Sequence, residues 1–428
     1  MELYSTNDSK NIVNLKEATL NSLPKDKGLY LPTSIPQLDK DFIRNLHQYS
    51  FPELSFRVAK NLIGEEVPSS DLERICYKAI NFPAPVKKLK EGLFIQELFH
   101  GPSLAFKDFG ARFMAELMSH FISKENNKLT ILVATSGDTG GAVASGFHNV
   151  ENIEVIILFP KGKVSPLQEL QLTTWGDNIQ AVEVDGTFDD CQAMVKRAFL
   201  DESLDSYTLS SANSINISRL IPQSFYYFEA LKQIGLDKEI TIAVPSGNIG
   251  NISAGSMARN MGLPIHTFIA AHNANNTVPQ YYKSGDYKAK PSISTISNAM
   301  DVGNPSNFPR YKTLNGSTWN NIKSSTLSYS YDDIKTTEAV KEMFDVFNYI
   351  SEPHAAVAYN ALKEHEVNQD HNKIFLGTAH PAKFKEVVNE ILNQEIQIPK
   401  SLSDLKNKQS KKEEIGTYSE LIEWMLSR

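Results

Sequence analysis

Short blocks of continuously apolar residues alternate with amphipathic stretches along most of this chain. The blocks at 129–134, 155–159, 181–184, 240–244, 267–271 and 374–376 have strand length, and they lack the in-out alternation of a half-exposed strand. Continuous apolarity predicts strands covered on both faces, hence a parallel sheet with helices on either side. The intervening stretches have helical period. Phe109, Phe113, Leu117, Met118 and Phe121 recur on one face, and the stretch 139–147, rich in glycine and alanine, predicts a helix packed at close range. Ser165, followed by Pro166 and by Gln168 three residues on, predicts a capped helix start, and Thr187 opens another helix. Residues 1–80 differ: helical patterns are separated by proline loops such as 31–36, and the helical stretch 42–63 breaks at Pro52. The charged stretch 400–417 reads as a loop or frayed helix, and 418–426 carries an apolar stripe suited to docking a last helix. The pattern therefore predicts an α/β protein with a helical N-terminal domain, bounded by the proline-rich segment 81–85.

A length of 428 residues exceeds one compact core. The expected division is 1–80, mainly helical, then a smaller α/β domain over 81–215 and a larger one over 216–428. The net charge of −7 removes any basic footprint for nucleic acid or anionic lipid. Cys76 and Cys191 stand far apart with no ligand spacing, so neither a metal site nor a disulfide framework is expected. The first ten residues are polar, unlike a signal peptide, and the apolar runs are too short to cross a bilayer. The cytoplasm is the expected location.

Candidate chemistry concentrates in five segments. Lys107 lies among apolar and aromatic neighbours in His100–Gly110. A lysine in such surroundings loses hydration and basicity, and its neutral amine can hold an aldehyde as a Schiff base. Its plain alternative is a surface lysine at a helix start. The turn at Gly247, Asn248, Ile249, Gly250 and Asn251 follows a buried strand and precedes a helix, a form suited to a monophosphate; it matches neither the dinucleotide nor the Walker spacing. The similar turn at Ser136, Gly137, Asp138 and Thr139 suits a carboxylate. Asn213, Ser214, Asn216 and Arg219 suit a second phosphate, with Lys161 and Lys163 as weaker candidates. Each turn has the alternative of a well-capped helix start. Thr378, just after a buried strand, is a candidate partner for a ring nitrogen or a hydroxyl bonded to local backbone. His380 and His354 read more readily as structural than as bases.

The segments HGPSLAFKDFGARF, ATSGDTGGAV, PKGKVSPLQE, SANSINISRL, VPSGNIGNISAG, SNAMDVGNPSNFPR, SEPHAAVAY and GTAHPAKF run in order from His100 to Phe384. Together they resemble the threonine synthases, a branch of the fold-type II enzymes that carry pyridoxal 5′-phosphate (PLP), and the N-terminal region resembles the extension of the bacterial and fungal members. The resemblance implies two open, twisted, mostly parallel sheets flanked by helices, like the tryptophan synthase β subunit. It implies that Lys107 forms the Schiff base, that Gly247 to Asn251 cradle the cofactor phosphate, and that Thr378 meets the pyridine nitrogen. It implies that the Ser136–Thr139 turn holds the substrate carboxylate, and that Asn213, Ser214, Asn216 and Arg219, with Lys161, hold the substrate phosphate. Many fold-type II relatives have asparagine at the place of Asp138, contacting the cofactor's 3′ oxygen. An aspartate and a phenolate there are compatible only when one of the two is protonated or the aspartate points elsewhere. The implied reaction converts O-phospho-L-homoserine and water into L-threonine and phosphate, in a monomer or homodimer. The rival readings are a β-replacing synthase or serine/threonine dehydratase, a catalytically silent relative, and a nucleotide-binding α/β protein, the last opposed by the single-phosphate form of the loop.

Overall fold

The computed structural model describes residues 1–123, 128–365 and 370–428. A wholly parallel five-stranded sheet runs in the order Glu413–Ile415, Ile179–Val184, Ile153–Pro160, Leu129–Ala134 and Thr208–Ser210. A six-stranded sheet runs Thr326–Ser330, Thr267–His272, Ile240–Pro245, Asn372–Gly377, Leu93–Glu97 and Val86–Lys90, and only its last pair is antiparallel. Every residue of Leu129–Ala134, Ile153–Pro160 and Ile240–Pro245 is buried. These strands have helices on both faces, which is why they read as unbroken apolar blocks. The fold is α/β, with two mostly parallel sheets flanked by helices.

The strands are not strung as the continuous division at residue 215 expects. Leu93–Glu97 and Val86–Lys90 join the six-stranded sheet, although they lie in the 81–215 segment. Glu413–Ile415, inside the stretch read as a loop or frayed helix, pairs with Ile179–Val184 in the other sheet. This three-residue edge strand begins with two glutamates, so it carries no apolar signal. The N-terminal region also holds a three-stranded antiparallel sheet, with Glu2–Ser5 between Asp8–Asn14 and Tyr30–Pro32. Most of Asp8–Asn14 is exposed, so its sequence shows no core-facing pattern. Helices Phe51–Ile63 and Ser69–Ala79 follow. Pro52 occupies the first turn of the former, where its missing N–H costs nothing, and Ser50 caps it. The helix expected from Ile217 is interrupted: Ile217–Leu220 gives way to a 3-10 turn at Ile221–Ser224 before Phe225–Ile234, with Pro222 at the break. The last helix, Tyr418–Leu426, buries Tyr418, Leu421 and Met425 against the apolar residues of the five-stranded sheet.

The candidate segments leave the carboxyl ends of parallel strands. Residues 98–106 follow Leu93–Glu97, 135–137 follow Leu129–Ala134, 246–249 follow Ile240–Pro245, and Thr378 follows Asn372–Gly377. Open α/β sheets bind ligands at that edge.

Candidate active site

Lys107 is the first residue of helix Lys107–Ile122. The loop before it is stitched to the end of strand Asn372–Gly377. Phe106 N–H donates to the Thr378 carbonyl at 2.8 Å and His380 N–H to the Leu104 carbonyl at 3.0 Å, with an antiparallel bridge between Ala105 and Ala379. Asp108 turns back to accept the Ser103 N–H at 2.9 Å. Two segments remote in sequence therefore bring the lysine and Thr378 together through backbone bonds. The Lys107 side chain is 17% exposed, with its Nζ 4.9 Å from the Phe106 ring centre. Burial lowers the basicity of this amine; the Asp138 carboxylate opposes that, and the charges of Lys383 and Arg219 add to it.

Asp138 opens helix Asp138–Phe147 and is buried. Its Oδ2 lies 3.7 Å from Lys107 Nζ. Its Oδ1 accepts from Lys383 Nζ at 2.8 Å and Gln168 Nε2 at 2.9 Å. Burial by itself would raise this carboxyl, but the ammonium groups of Lys383 and Lys107 outweigh it and hold the group well below the usual carboxylate range. The turn ahead of it is organised by Thr135, whose hydroxyl accepts the N–H groups of Gly137 at 3.0 Å and Gly140 at 2.8 Å. Gly137 has φ +135°, and a side chain there would come within 2.6 Å of the Gln168 amide carbon. Ser136 is exposed and Thr139 half-buried.

At the other turn, Ile249 adopts φ +48° and ψ +20° immediately before helix Gly250–Asn260. A β-branched residue in this region is strained. Leu104, in the Lys107 loop, is likewise at φ +57°, so both segments hold aliphatic residues in conformations they ordinarily avoid. A Cβ on Gly247 would fall 2.6 Å from Met300 Cα, and one on Gly250 would fall 3.3 Å from Asn307 Nδ2. Asn248 Nδ2 donates to Ser214 Oγ at 2.7 Å, joining this turn to the Asn213–Arg219 segment, and its Oδ1 accepts from Ser306 N–H. Asn251 Oδ1 accepts from the hydroxyls of Tyr226 and Tyr227 at 2.6 and 2.7 Å.

Buried donors without partners accompany these segments. Among the described residues, Asn251 Nδ2, Arg219 Nε and Arg310 Nη2 have none. Arg219 donates one Nη1 bond to the Ala212 carbonyl and packs over Gly110, where a Cβ would come within 2.9 Å of its Nε. Burial lowers its basicity to about 10, with Asp108 opposing. Arg310 donates to the Tyr30 carbonyl at 2.9 Å and to Asn307 Oδ1 at 3.0 Å, and burial alone lowers it to about 9. Buried cations and unpartnered N–H groups are costly without an anion. Together with Gly247, where a side chain would strike the Met300 backbone, and the close approach at Gly250, they fit phosphate-bearing groups such as PLP.

The sequence family described as pyridoxal-phosphate dependent enzyme matches residues 78–376. Those described as threonine synthase N terminus and threonine synthase, C-terminal match residues 2–80 and 355–423. The chain is 46% identical over 407 residues to the threonine synthase of Serratia marcescens and 44% identical over 407 residues to that of Escherichia coli (strain K12), covering 94% of each chain in both cases. The chain belongs to the threonine synthase family. Its fold superposes on the crystal structure of the Escherichia coli threonine synthase with a TM-score of 0.92, at 42% identity and 100% coverage of both chains. With the PLP-bound threonine synthase from Brucella melitensis the TM-score is 0.94, at 33% identity, covering 99% of this chain and 98% of that one. The cofactor of this threonine synthase family member is PLP.

Two of the residues expected at the substrate phosphate are engaged with protein groups. Asn216 is fully buried. Its Oδ1 caps Ile217–Leu220, and its Nδ2 donates to the Thr19 carbonyl at 2.8 Å and Ser22 Oγ at 3.0 Å. Both polar ends are engaged in joining the N-terminal region to this segment, so the side chain has no free donor for a phosphate. Lys161 is half-exposed and paired with Glu414 at 2.8 Å. His380 Nδ1 accepts the Ala382 N–H, and burial, helped by His100, lowers this imidazole to about 4; it is a neutral cap. Sequence reasoning missed Lys383, Gln168, Thr135 and Arg310. Lys383 and Arg310 stand in the very segments that carry the family resemblance, GTAHPAKF and SNAMDVGNPSNFPR, and that membership was the available signal. Away from the site, Glu239, His266 and His371 gather potential ligand atoms within 4.8 Å of one another. They come from three loops, so no spacing motif announces them.

Proposed function

We propose that this site performs threonine synthesis, converting O-phospho-L-homoserine and water into L-threonine and phosphate, with Lys107 as tether and base. PLP, when bound, supplies the electron sink for a carbanion at the substrate's Cα. Lys107 holds the cofactor's carbonyl carbon and yields that position to the substrate amine. As a neutral amine it then takes the Cα proton, and from the same face it moves the protons exchanged at Cβ. Phosphate leaves Cγ, which takes up the proton removed from Cβ and becomes the methyl group; water gives its hydroxyl to Cβ and its other proton to the phosphate, and the Cα proton is restored. The Ser136–Thr139 turn receives the substrate carboxylate through backbone N–H groups, while Gly247 to Asn251 hold the cofactor phosphate. Thr378 meets the pyridine nitrogen with a neutral hydroxyl, which leaves the ring without an enforced proton and disfavours aminotransferase chemistry. Arg219, Asn213 and Ser214 hold the substrate phosphate; the unpartnered Nε of Arg219 favours a phosphorylated substrate over serine or threonine. The substrate is a small molecule, and the cytoplasm is the setting of this reading. Among the described residues no helix is long and apolar enough to cross a membrane.

The observation that carries the reading is the buried, weakened base of Lys107 on a loop bonded to Thr378. Lys107→Ala is expected to lose both the visible absorbance of the tethered cofactor and phosphate release from O-phosphohomoserine, the latter by about a thousandfold or more. A variant that kept the visible band would show that another amine is the tether. Ammonia release from serine exceeding phosphate release from phosphohomoserine in the wild type would favour the dehydratase reading.

A further inference from the structure

We infer that Lys383 is a positioning residue whose ammonium group neutralises Asp138, so that Lys107 is left as the uncharged amine the reaction requires. The inference rests on the reading of Lys107 as the base and adds a second lysine to it. Lys383 lies on the 3-10 turn Pro381–Phe384 and is 2% exposed. Its Nζ donates to Asp138 Oδ1 and to the Ser103 carbonyl, each at 2.8 Å. Asp138 thus divides its two oxygens: Oδ1 takes Lys383 and Gln168, and Oδ2 faces Lys107 across 3.7 Å.

A charge count decides which state is favoured. With Asp138 anionic and Lys383 cationic, the buried trio is neutral only when Lys107 is uncharged. Protonating Lys107 would place a net positive charge in a buried site. Without Lys383, the carboxylate would face Lys107 alone, and the pair would be neutral only with Lys107 as ammonium, which neither attacks nor abstracts a proton. The other charges facing Lys107 are Arg219 and Glu352, which oppose one another. Glu352 is already engaged, capping Pro353–Glu364 and bonded to His354. Asp108, on Lys107's own helix, is turned to Ser103 and faces Lys383, Arg112 and Arg219. The Lys383–Asp138 pair, with Asp138 3.7 Å from Lys107, is therefore placed to set its charge. The 3-10 turn that presents Lys383 is capped by the neutral His380, and the same strand end carries Thr378, so the second lysine is delivered by the segment that meets the first lysine's loop.

The test reads the protonation of Lys107, not turnover alone. In the full-length holoenzyme, the pH midpoint of the visible band reports the proton on the Lys107 nitrogen. In the full-length chain stripped of cofactor, the pH dependence of Lys107 acylation, followed by peptide mass spectrometry, reports its free amine. K383M is expected to raise both midpoints by about one to two pH units, and D138N to lower both. The acid limb of the kcat profile should move the same way. K383R, which keeps the charge, should stay near the wild-type midpoints, and the double variant K383M/D138N should return toward them. A purely structural role for Lys383 would lower stability and activity without moving either midpoint, and that result in a folded K383M would overturn the inference. If K383M does not fold, D138N carries the test: midpoints that fail to fall overturn it. Loss of the visible band in Lys107→Ala with unmoved midpoints in K383M and D138N would defeat this inference alone and leave the proposed function standing.

Discussion

At the end of Leu129–Ala134 the chain turns through Gly137 into a helix whose first residue is a buried carboxylate. At the end of Ile240–Pro245 it turns through Gly247 and Ile249 into a helix whose first turn holds no acidic side chain. Both are strand–turn–helix units at the same edge of a parallel sheet, and both point the positive end of a helix toward the site. They differ in how that field is used. In the first, Asp138 occupies the helix start and Lys383 balances it, so the turn presents hydrogen-bond donors with little net charge. In the second, the helix start is left open, and the buried guanidinium of Arg310, bonded to the Tyr30 carbonyl and to Asn307, has no ion pair to a carboxylate among the described residues. In the proposed function, one backbone form serves two ligands: a neutralised turn for a substrate whose own amine and carboxylate already cancel, and an electropositive turn for the doubly charged phosphate of a cofactor.

The largest expected break in this comparison is Arg310→Met. The substitution keeps a side chain of similar length but removes the cation and leaves the Tyr30 carbonyl and Asn307 Oδ1 without their donor. We expect PLP affinity to fall tenfold to a hundredfold, and stability of the holoenzyme to fall by about 3 kcal/mol. Because the buried charge is a cost that bound phosphate relieves, the rise in Tm on adding PLP should be smaller in the variant than in the wild type. Equal PLP-induced rises would mean that Arg310 serves the N-terminal region alone.

A matched pair of glycine substitutions sharpens the contrast. Gly247→Ala would drive a Cβ to 2.6 Å from the backbone of Met300, which cannot swing away. We expect a loss of about 1–3 kcal/mol together with weakened cofactor binding, and no change in the pH midpoint of the visible band. Gly137→Ala meets the flexible Gln168 side chain at a similar distance, and its φ of +135° adds strain. The displaced Gln168 loses its bond to Asp138, so the midpoint should move while PLP affinity holds. The reverse assignment of the two effects would refute the division of labour between the turns.

Much of this contrast was legible in the chain, and the illegible part has a common cause. The buried strands, the capped helix at Ser165 and the glycine turns announce themselves through local pattern, and each was found where local pattern placed it. Lys107 was visible because its neighbours are apolar. Lys383 was not, because its meaning lies in an ion pair with a residue 245 positions earlier, formed only when strand Asn372–Gly377 delivers it to the Lys107 loop. Glu413–Ile415 was unreadable for a related reason: its strand character comes from pairing with Ile179–Val184, and its own residues are charged. Asp138, which reads as a conflict beside an anionic cofactor, becomes consistent only with Lys383 beside it.

Asn216 marks the border of what such reading can assign. Its neighbours Ser214 and Arg219 face the phosphate turn or carry an unpartnered donor, and position alone puts Asn216 with them. Its bonds put it elsewhere: it caps a helix with one atom and holds the Thr19 carbonyl and the Ser22 hydroxyl with the other. Asn216→Ala should therefore cost about 1–2 kcal/mol of stability, measured as a lower urea midpoint, while KM for O-phosphohomoserine stays within about twofold. A tenfold rise in KM at unchanged stability would return Asn216 to the substrate. The smaller outcome would instead define the electropositive region by unengaged donors, since a side chain whose polar atoms are all bonded to protein contributes shape to a ligand site but little attraction.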